Sequence, residues 1–243
     1  MNIATILAAG LGSRFGDITK YVPKGMIKIG EEPMIETSIE KLLDAGYSKV
    51  LLVTGHCSDV YDSFTKKWEN VDTIKNPFYE TTGSLFSLYL AMSYAKRYQF
   101  NNLTILESDI IYDSRILKQI PSINCMLTSK PKRFDIGDEC WVGMDDQQRI
   151  TQIVKDATKL NDSELEMVGI SNISMNTIDN VNEYERMLNE SLEMLSDNNM
   201  EDYEQLLASN KRFTSQETKY EWAEMDNVQH MEYAIDNVLS KLK

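Results

Sequence analysis

One guanidinium and two carboxylates stand where a chain could handle phosphate. Leu7-Ala8-Ala9-Gly10-Leu11-Gly12-Ser13-Arg14 directly follows a short apolar run. Small residues and glycines let backbone N–H groups approach a phosphate closely, and Arg14 adds a charge-assisted fork to the same oxygens. The spacing is not the dinucleotide-binding fingerprint, and the Gly-Lys-Ser/Thr ending of a P-loop is missing. On the glycines alone, a tight strand-to-loop turn is an equal reading. Asp109 lies just beyond the apolar segment Leu103 to Leu106, and Asp226 follows Trp222-Ala223-Glu224-Met225. Hard oxygen ligands from two separate segments are what a magnesium-dependent phosphoryl-transfer site needs. A turn residue at 109 and a helix N-cap at 226 are the plain alternatives.

These residues need elements to hold them, and the first half of the chain supplies an alternating pattern. Ile3 to Leu7, Lys49 to Thr54, Val71 to Lys75 and Leu103 to Leu106 read as buried strands. Met34 to Ala45, Asp59 to Trp68 and Ser84 to Lys96 read as the helices between them. That order predicts an α/β fold, with a largely parallel sheet and helices on both faces. Asp109 then falls at the C-terminal strand edge, where such sheets bind ligands. After Asn124 the pattern shifts to strands at Cys125–Thr128, Glu139–Met144, Ile150–Val154 and Met167–Ile173. Helices follow at Val181–Leu195 and Asp202–Leu207, then a short strand Tyr220–Ala223 and a last helix from about Val228. No linker composition interrupts the chain, so one domain is expected over 1–243. Its halves are a nucleotide-binding 1–123 and a substrate-binding 124–243 that ends in the C-terminal helix.

Composition narrows the partners. The 243 residues carry 25 Lys+Arg against 38 Asp+Glu, a net charge of −13. That surface argues against nucleic acid, whose backbone is held by clustered cations. Cys57, Cys125 and Cys140 are scattered and only His56 and His230 accompany them, so a structural zinc site is not expected. An odd cysteine count with no signal-peptide pattern leads to the expectation of a cytoplasmic protein. The run Ile3 to Ala9 is too short to span a membrane. His56 suits either the base and ribose of a nucleotide or a plain turn. Met187, Leu188, Leu192 and Leu195, at helical spacing, suit a core or a homodimer face.

The stretch Leu7 to Arg14, continued by Pro23-Lys24, resembles the signature of the nucleotidyltransferase superfamily, which couples NTPs to phosphorylated sugars or alcohols. The resemblance implies a Rossmann-like (GT-A-type) nucleotidyltransferase fold, with a mixed, mostly parallel central sheet flanked by helices. It implies that the loop wraps the nucleotide through Leu7, Ala8, Ala9, Gly10, Gly12 and Ser13, and that Arg14 and Lys24 hold the phosphates. Asp109 and Asp226 match the two aspartates that hold Mg²⁺ in that superfamily. Pro23-Lys24-Gly25, Thr54-Gly55-His56, Glu107 to Asp113, Gly137-Asp138-Glu139, Lys155-Asp156, Val168-Gly169-Ile170, Asp202-Tyr203-Glu204 and Trp222 to Asn227 are more particular. Together they resemble the 2-aminoethylphosphonate cytidylyltransferases, close relatives of the phosphocholine enzymes. On that resemblance Gly55, Thr82, Gly83, Ser84 and Ser108 join the nucleotide site, with CTP as donor.

Chemistry distributes the rest of the acceptor site. A primary ammonium needs acidic acceptors, which Asp138, Glu139 and Glu204 can supply, and a phosphonate needs cations, which Lys155 and Lys24 can supply. A choline head would instead prefer an aromatic cage such as Trp141, Tyr203 and Trp222. Asp138-Glu139 also suits a solvated turn, and Trp222 suits a position half in the core. A sugar-1-phosphate enzyme is disfavoured because Glu80-Thr81-Thr82-Gly83-Ser84 replaces the Gly-Thr-Ala element of that group. A non-catalytic nucleotide sensor is disfavoured because Arg14, Lys24, Asp109 and Asp226 are all kept.

Overall fold

The computed structural model describes residues 1–131, 140–155, 165–175, 186, 189, 203 and 213–242. Asp138, Glu139, Asp156, Asp202 and Glu204 lie outside the described residues. So do the expected helices at 181–195 and 202–207, apart from Arg186, Asn189 and Tyr203, which are helical. In chain order the elements are β1 (Asn2–Ala8), the small hairpin β2 (Lys28–Ile29) and β3 (Glu32–Pro33), α1 (Met34–Asp44), β4 (Lys49–Thr54), α2 (Ser58–Phe64), β5 (Val71–Lys75), α3 (Ser84–Ala95) and β6 (Asn102–Glu107). Then come β7 (Ile110–Tyr112), β8 (Cys125–Ser129), β9 (Trp141–Met144), β10 (Ile150–Val154), β11 (Glu166–Ser174), β12 (Thr214–Glu217), β13 (Trp222–Glu224) and α4 (Val228–Asn237).

The central sheet runs β10-β9-β11-β6-β1-β4-β5, with β8 attached to β11 and β12 to β8. β1 pairs in parallel with β4 on one side and β6 on the other, placing Leu7 beside both Val53 and Glu107. Because these strands share a direction, their C-terminal ends share an edge. The glycine loop after β1, the Gly55 turn after β4 and Ser108-Asp109 after β6 therefore converge. β11 joins β6 antiparallel, so the sheet is mixed; parallel pairs join β1, β4, β5 and β6, and β12 to β8.

Strand alternation divides the core between two faces. Ala4, Ile6, Val50 and Leu52 pack with Ile35, Ile39 and Leu42 of α1. Ile3, Leu51, Leu103 and Ile105 face the other way, onto Leu85, Leu88 and Met92 of α3. A third cluster joins Phe15, Ile27, Met34, Ile111, Ala223, Met225 and Ala234. It fastens the segment after the glycine loop to the C-terminal helix.

Three features differ from the sequence reading. The helix expected over Asp59–Trp68 is α2 followed by a 3-10 turn, Thr65–Lys67, and it stops at Trp68, whose backbone is extended (φ −118°, ψ 122°). β12 is a polar segment without apolar alternation, so pairing with β8 creates it, not propensity. β7 follows Asp109 at once and pairs antiparallel with β13, Trp222 opposite Tyr112 and Glu224 opposite Ile110. Among the described residues no helix is long and apolar enough to cross a membrane.

The α3 interface should dominate stability. Leu88→Ala, at a fully buried position, is expected to cost about 2–5 kcal/mol in urea unfolding. Lys75→Ala, at an exposed one, should stay within about 0.5 kcal/mol. Equal effects would contradict this division of the core.

Candidate active site

The convergent strand ends border a cleft of about 440 Å³. Its rim is the glycine loop. Gly12 has φ +64°, and a Cβ there would sit 3.0 Å from Thr19 Cγ2 and 3.2 Å from Lys24 Cβ, so both conformation and space require glycine. Thr19 Oγ1 donates to the Gly12 carbonyl at 2.8 Å, closing the turn. The loop is tied from behind by the next strand end. His56 N–H donates to the Ala9 carbonyl at 3.2 Å, and its Nε2 meets the Thr19 carbonyl at 2.7 Å. A carbonyl only accepts, so Nε2 carries the proton. His56 therefore acts as a loop anchor.

Across the cleft, Lys24 is the hub. Its Nζ donates to Asp109 Oδ2 at 2.5 Å and to Asp226 Oδ1 at 2.8 Å. Arg14 Nη1 takes the other Asp226 oxygen at 2.7 Å while half its side chain remains exposed. The two aspartates are brought together by the β7–β13 ribbon and by Met225 N–H, which donates to the Asp109 carbonyl at 2.8 Å. Burial alone would lower the Lys24 pKa, but the charges of Asp109 and Asp226 override it and raise it. Burial opposes ionisation of Asp226 too, and Lys24 and Arg14 nevertheless hold its carboxyl down at about 2. Glu224, beside them, goes the other way: burial, then the charges of Asp109 and Asp226, push it well above the usual carboxylate range. It hydrogen-bonds to Asp226.

The carboxylate set also suits a divalent metal. Asp109 Oδ1 is buried with no hydrogen-bond partner, and one ligand oxygen each from Glu107, Asp109 and Glu224 fall within 4.8 Å of one another. An oxygen left bare in a buried carboxylate is costly unless a proton or cation meets it.

Of the residues marked in the sequence, Leu7, Ala8, Ala9, Gly10, Gly12, Ser13, Arg14, Lys24, Thr82, Gly83, Ser84, Ser108, Asp109, Lys155 and Asp226 all line this cleft. Gly55, expected at the nucleotide, does not. A Cβ there would lie 2.6 Å from the Ala9 carbonyl and from Tyr79 Cβ, so it is a close-approach glycine supporting the loop. Trp222, expected at the acceptor, is buried in the α1-side core. Tyr203 is buried behind the wall; its N–H donates to Ser84 Oγ at 2.9 Å and its hydroxyl to Glu107 Oε1 at 3.5 Å. Sequence reasoning missed Glu107 and Glu224 as cleft residues. The signal was available: each stands two positions before a marked aspartate, the spacing that returns an extended chain to the same face.

Residues 4–122 match the MobA-like NTP transferase domain. The chain is 31% identical over 173 residues to a 2-aminoethylphosphonate cytidylyltransferase of Lancefieldella rimae, a match covering 70% of this chain and 66% of that one. It is 32% identical over 119 residues to a choline-phosphate cytidylyltransferase of Haemophilus influenzae, covering 49% and 48%. The matched segments thus span about two thirds and one half of those relatives. A solved CTP:phosphocholine cytidylyltransferase from Streptococcus pneumoniae superposes over 97% of this chain and 98% of its own with a TM-score of 0.73. At 19% identity that likeness concerns the fold.

Removing the hub should be felt twice. Lys24→Ala is expected to lower nucleotidyl-transfer kcat by roughly 10²-fold, the scale of losing one preorganised charge-stabilising donor. Because the aspartates then lose their shared cation, the variant's melting temperature should fall at neutral pH and recover as pH drops through the carboxylate range. Wild-type turnover, or a melting deficit independent of pH, would count against this role.

Proposed function

We propose that this chain, which matches the MobA-like NTP transferase domain over residues 4–122, transfers a cytidylyl group from CTP to 2-aminoethylphosphonate, releasing pyrophosphate. The observation that carries a nucleotidyl transfer is the Lys24 ammonium held between Asp109 and Asp226 at the mouth of the glycine loop. A phosphonate oxygen attacks the α-phosphorus of CTP in line, a new P–O bond forms, and the bond to the bridging oxygen breaks as pyrophosphate leaves. The phosphonate is already ionised at neutral pH, so no general base is required. Loop N–H groups and Arg14 hold the triphosphate, Lys24 neutralises charge that builds at the α-phosphoryl group, and Lys155 orients the phosphonate. Asp109 and Asp226 would hold Mg²⁺, with Glu107 and Glu224 beside them, and the ion would supply further charge neutralisation when bound.

Three lines support the acceptor. The Lancefieldella rimae relative is named for 2-aminoethylphosphonate. Glu107 gives the described cleft a carboxylate besides the two aspartates, suited to a primary ammonium. Trp222 and Tyr203, two members of the aromatic cage that choline would favour, are buried instead of lining the cleft.

A pyrophosphate-release assay with each NTP and a panel of acceptors tests this. CTP with 2-aminoethylphosphonate should exceed CTP with phosphocholine in kcat/KM by at least about tenfold, since trimethylammonium offers no N–H to the carboxylates and each charged hydrogen bond is worth about 1.5–3 kcal/mol. Equal or better use of phosphocholine would replace this acceptor, and release with no acceptor in the panel would overturn the transferase reading.

A further inference from the structure

Lys24 works only if its backbone places it, and that backbone has an unexpected support. Lys24 opens a single 3-10 turn, Lys24–Met26, after the extended Pro23. Met26 N–H donates to the Pro23 carbonyl and Ile27 N–H to the Lys24 carbonyl. Gly25 N–H turns away from that pattern and donates to the hydroxyl of Tyr61 at 3.2 Å. A Cβ on Gly25 would lie 2.7 Å from the same hydroxyl oxygen, so glycine at 25 and tyrosine at 61 fit only as a pair. Tyr61 is fully buried in the core beneath α1. It sits on α2, whose first amide, Ser58 N–H, donates to the Gly55 carbonyl. The turn that braces the glycine loop through Gly55 and His56 thus leads directly into the helix that braces Lys24.

A core tyrosine needs no hydroxyl for packing. Burying one costs free energy unless a partner is provided, and here the partner is the amide next to the hub lysine. Burial first, and then the charge of Asp109, raise the Tyr61 pKa, so the hydroxyl stays protonated beside the acidic pair.

We propose that Tyr61 is a positioning residue for Lys24: its buried hydroxyl fixes the Gly25 amide, and through it the lysine that reaches Asp109, Asp226 and the reacting phosphoryl group. This rests on the nucleotidyltransferase reading for its kinetic consequence, but not for its structural one. Tyr61 touches no reacting atom. It acts through Lys24, so its effect must vanish when Lys24 is gone.

The test is a double-mutant cycle with Tyr61→Phe, which keeps the ring and removes only the oxygen. In the wild-type background kcat should drop roughly tenfold while KM for CTP stays within about threefold; in the Lys24→Met background the same change should alter kcat by less than about twofold. An equal loss in both backgrounds, or a lower melting temperature with kcat unchanged, assigns Tyr61 to general packing and overturns the proposal. A second readout needs no substrate. Lys24 acetylation by an N-hydroxysuccinimide ester, followed by peptide mass spectrometry, should be slow in the wild type and several-fold faster in Tyr61→Phe, with exposed Lys75 as internal control. Unchanged Lys24 labelling overturns the positioning role. Faster labelling in a protein that turns over no acceptor upholds it while removing the functional reading.

Discussion

A single ammonium shared between two largely buried carboxylates organises this molecule's working edge. Asp109 and Asp226 come from opposite halves of the chain, and side by side they repel. Lys24 resolves that repulsion by donating to both. Arrangements of this kind seldom add net stability, because desolvating three charges offsets much of their attraction. The free energy for holding them comes from elsewhere: the apolar clusters on the two sheet faces, and the third cluster that clamps Phe15, Ile111, Met225 and Ala234 together. Burial and the acidic surplus at the site also show why the Glu224 carboxyl is pushed above the usual carboxylate range. One lysine and one arginine neutralise the two aspartates but leave nothing for a third charge.

The scaffold around that hub is a set of close approaches. Three parallel strands end at one edge, so their loops must pass within van der Waals distance of each other. Gly55 lets the Ala9 carbonyl approach, Gly12 lets Thr19 and Lys24 approach, and Gly25 lets the Tyr61 hydroxyl approach. His56 and Tyr61 then convert proximity into fixed geometry through hydrogen bonds to main-chain groups. A site meant to stabilise charge in a short-lived state gains from such rigidity, since nothing has to reorganise when the charge develops.

Much of this was legible in the sequence, for identifiable reasons. β1, β4 and β6 are continuous apolar runs because they are buried on both faces, and that pattern names them without ambiguity. The glycine loop, Arg14 and both aspartates could be marked from residue type and order, and Lys24 from the family resemblance that its Pro23-Lys24 pair carries. Their pairing could not, because an ion pair between positions 24 and 226 leaves no local signature. β12 was invisible because its residues are polar and its strand character comes from β8. Trp222 was misplaced because an indole serves a core and a ligand pocket equally well until packing decides. Gly55 was assigned to the nucleotide because a glycine that admits a phosphate and one that admits a carbonyl look alike in sequence.

If Lys24 and the two aspartates form one site for triphosphate and metal together, the binding of the two is coupled. Calorimetric titration of CTP into the protein, with and without Mg²⁺, tests it directly. Wild-type protein should bind CTP at least about tenfold more tightly with Mg²⁺ present, a coupling of about 1.4 kcal/mol, and Asp109→Asn should erase that difference while leaving the fold intact. CTP affinity indifferent to Mg²⁺ in the wild type, or a Mg²⁺ effect that survives in Asp109→Asn, would contradict it.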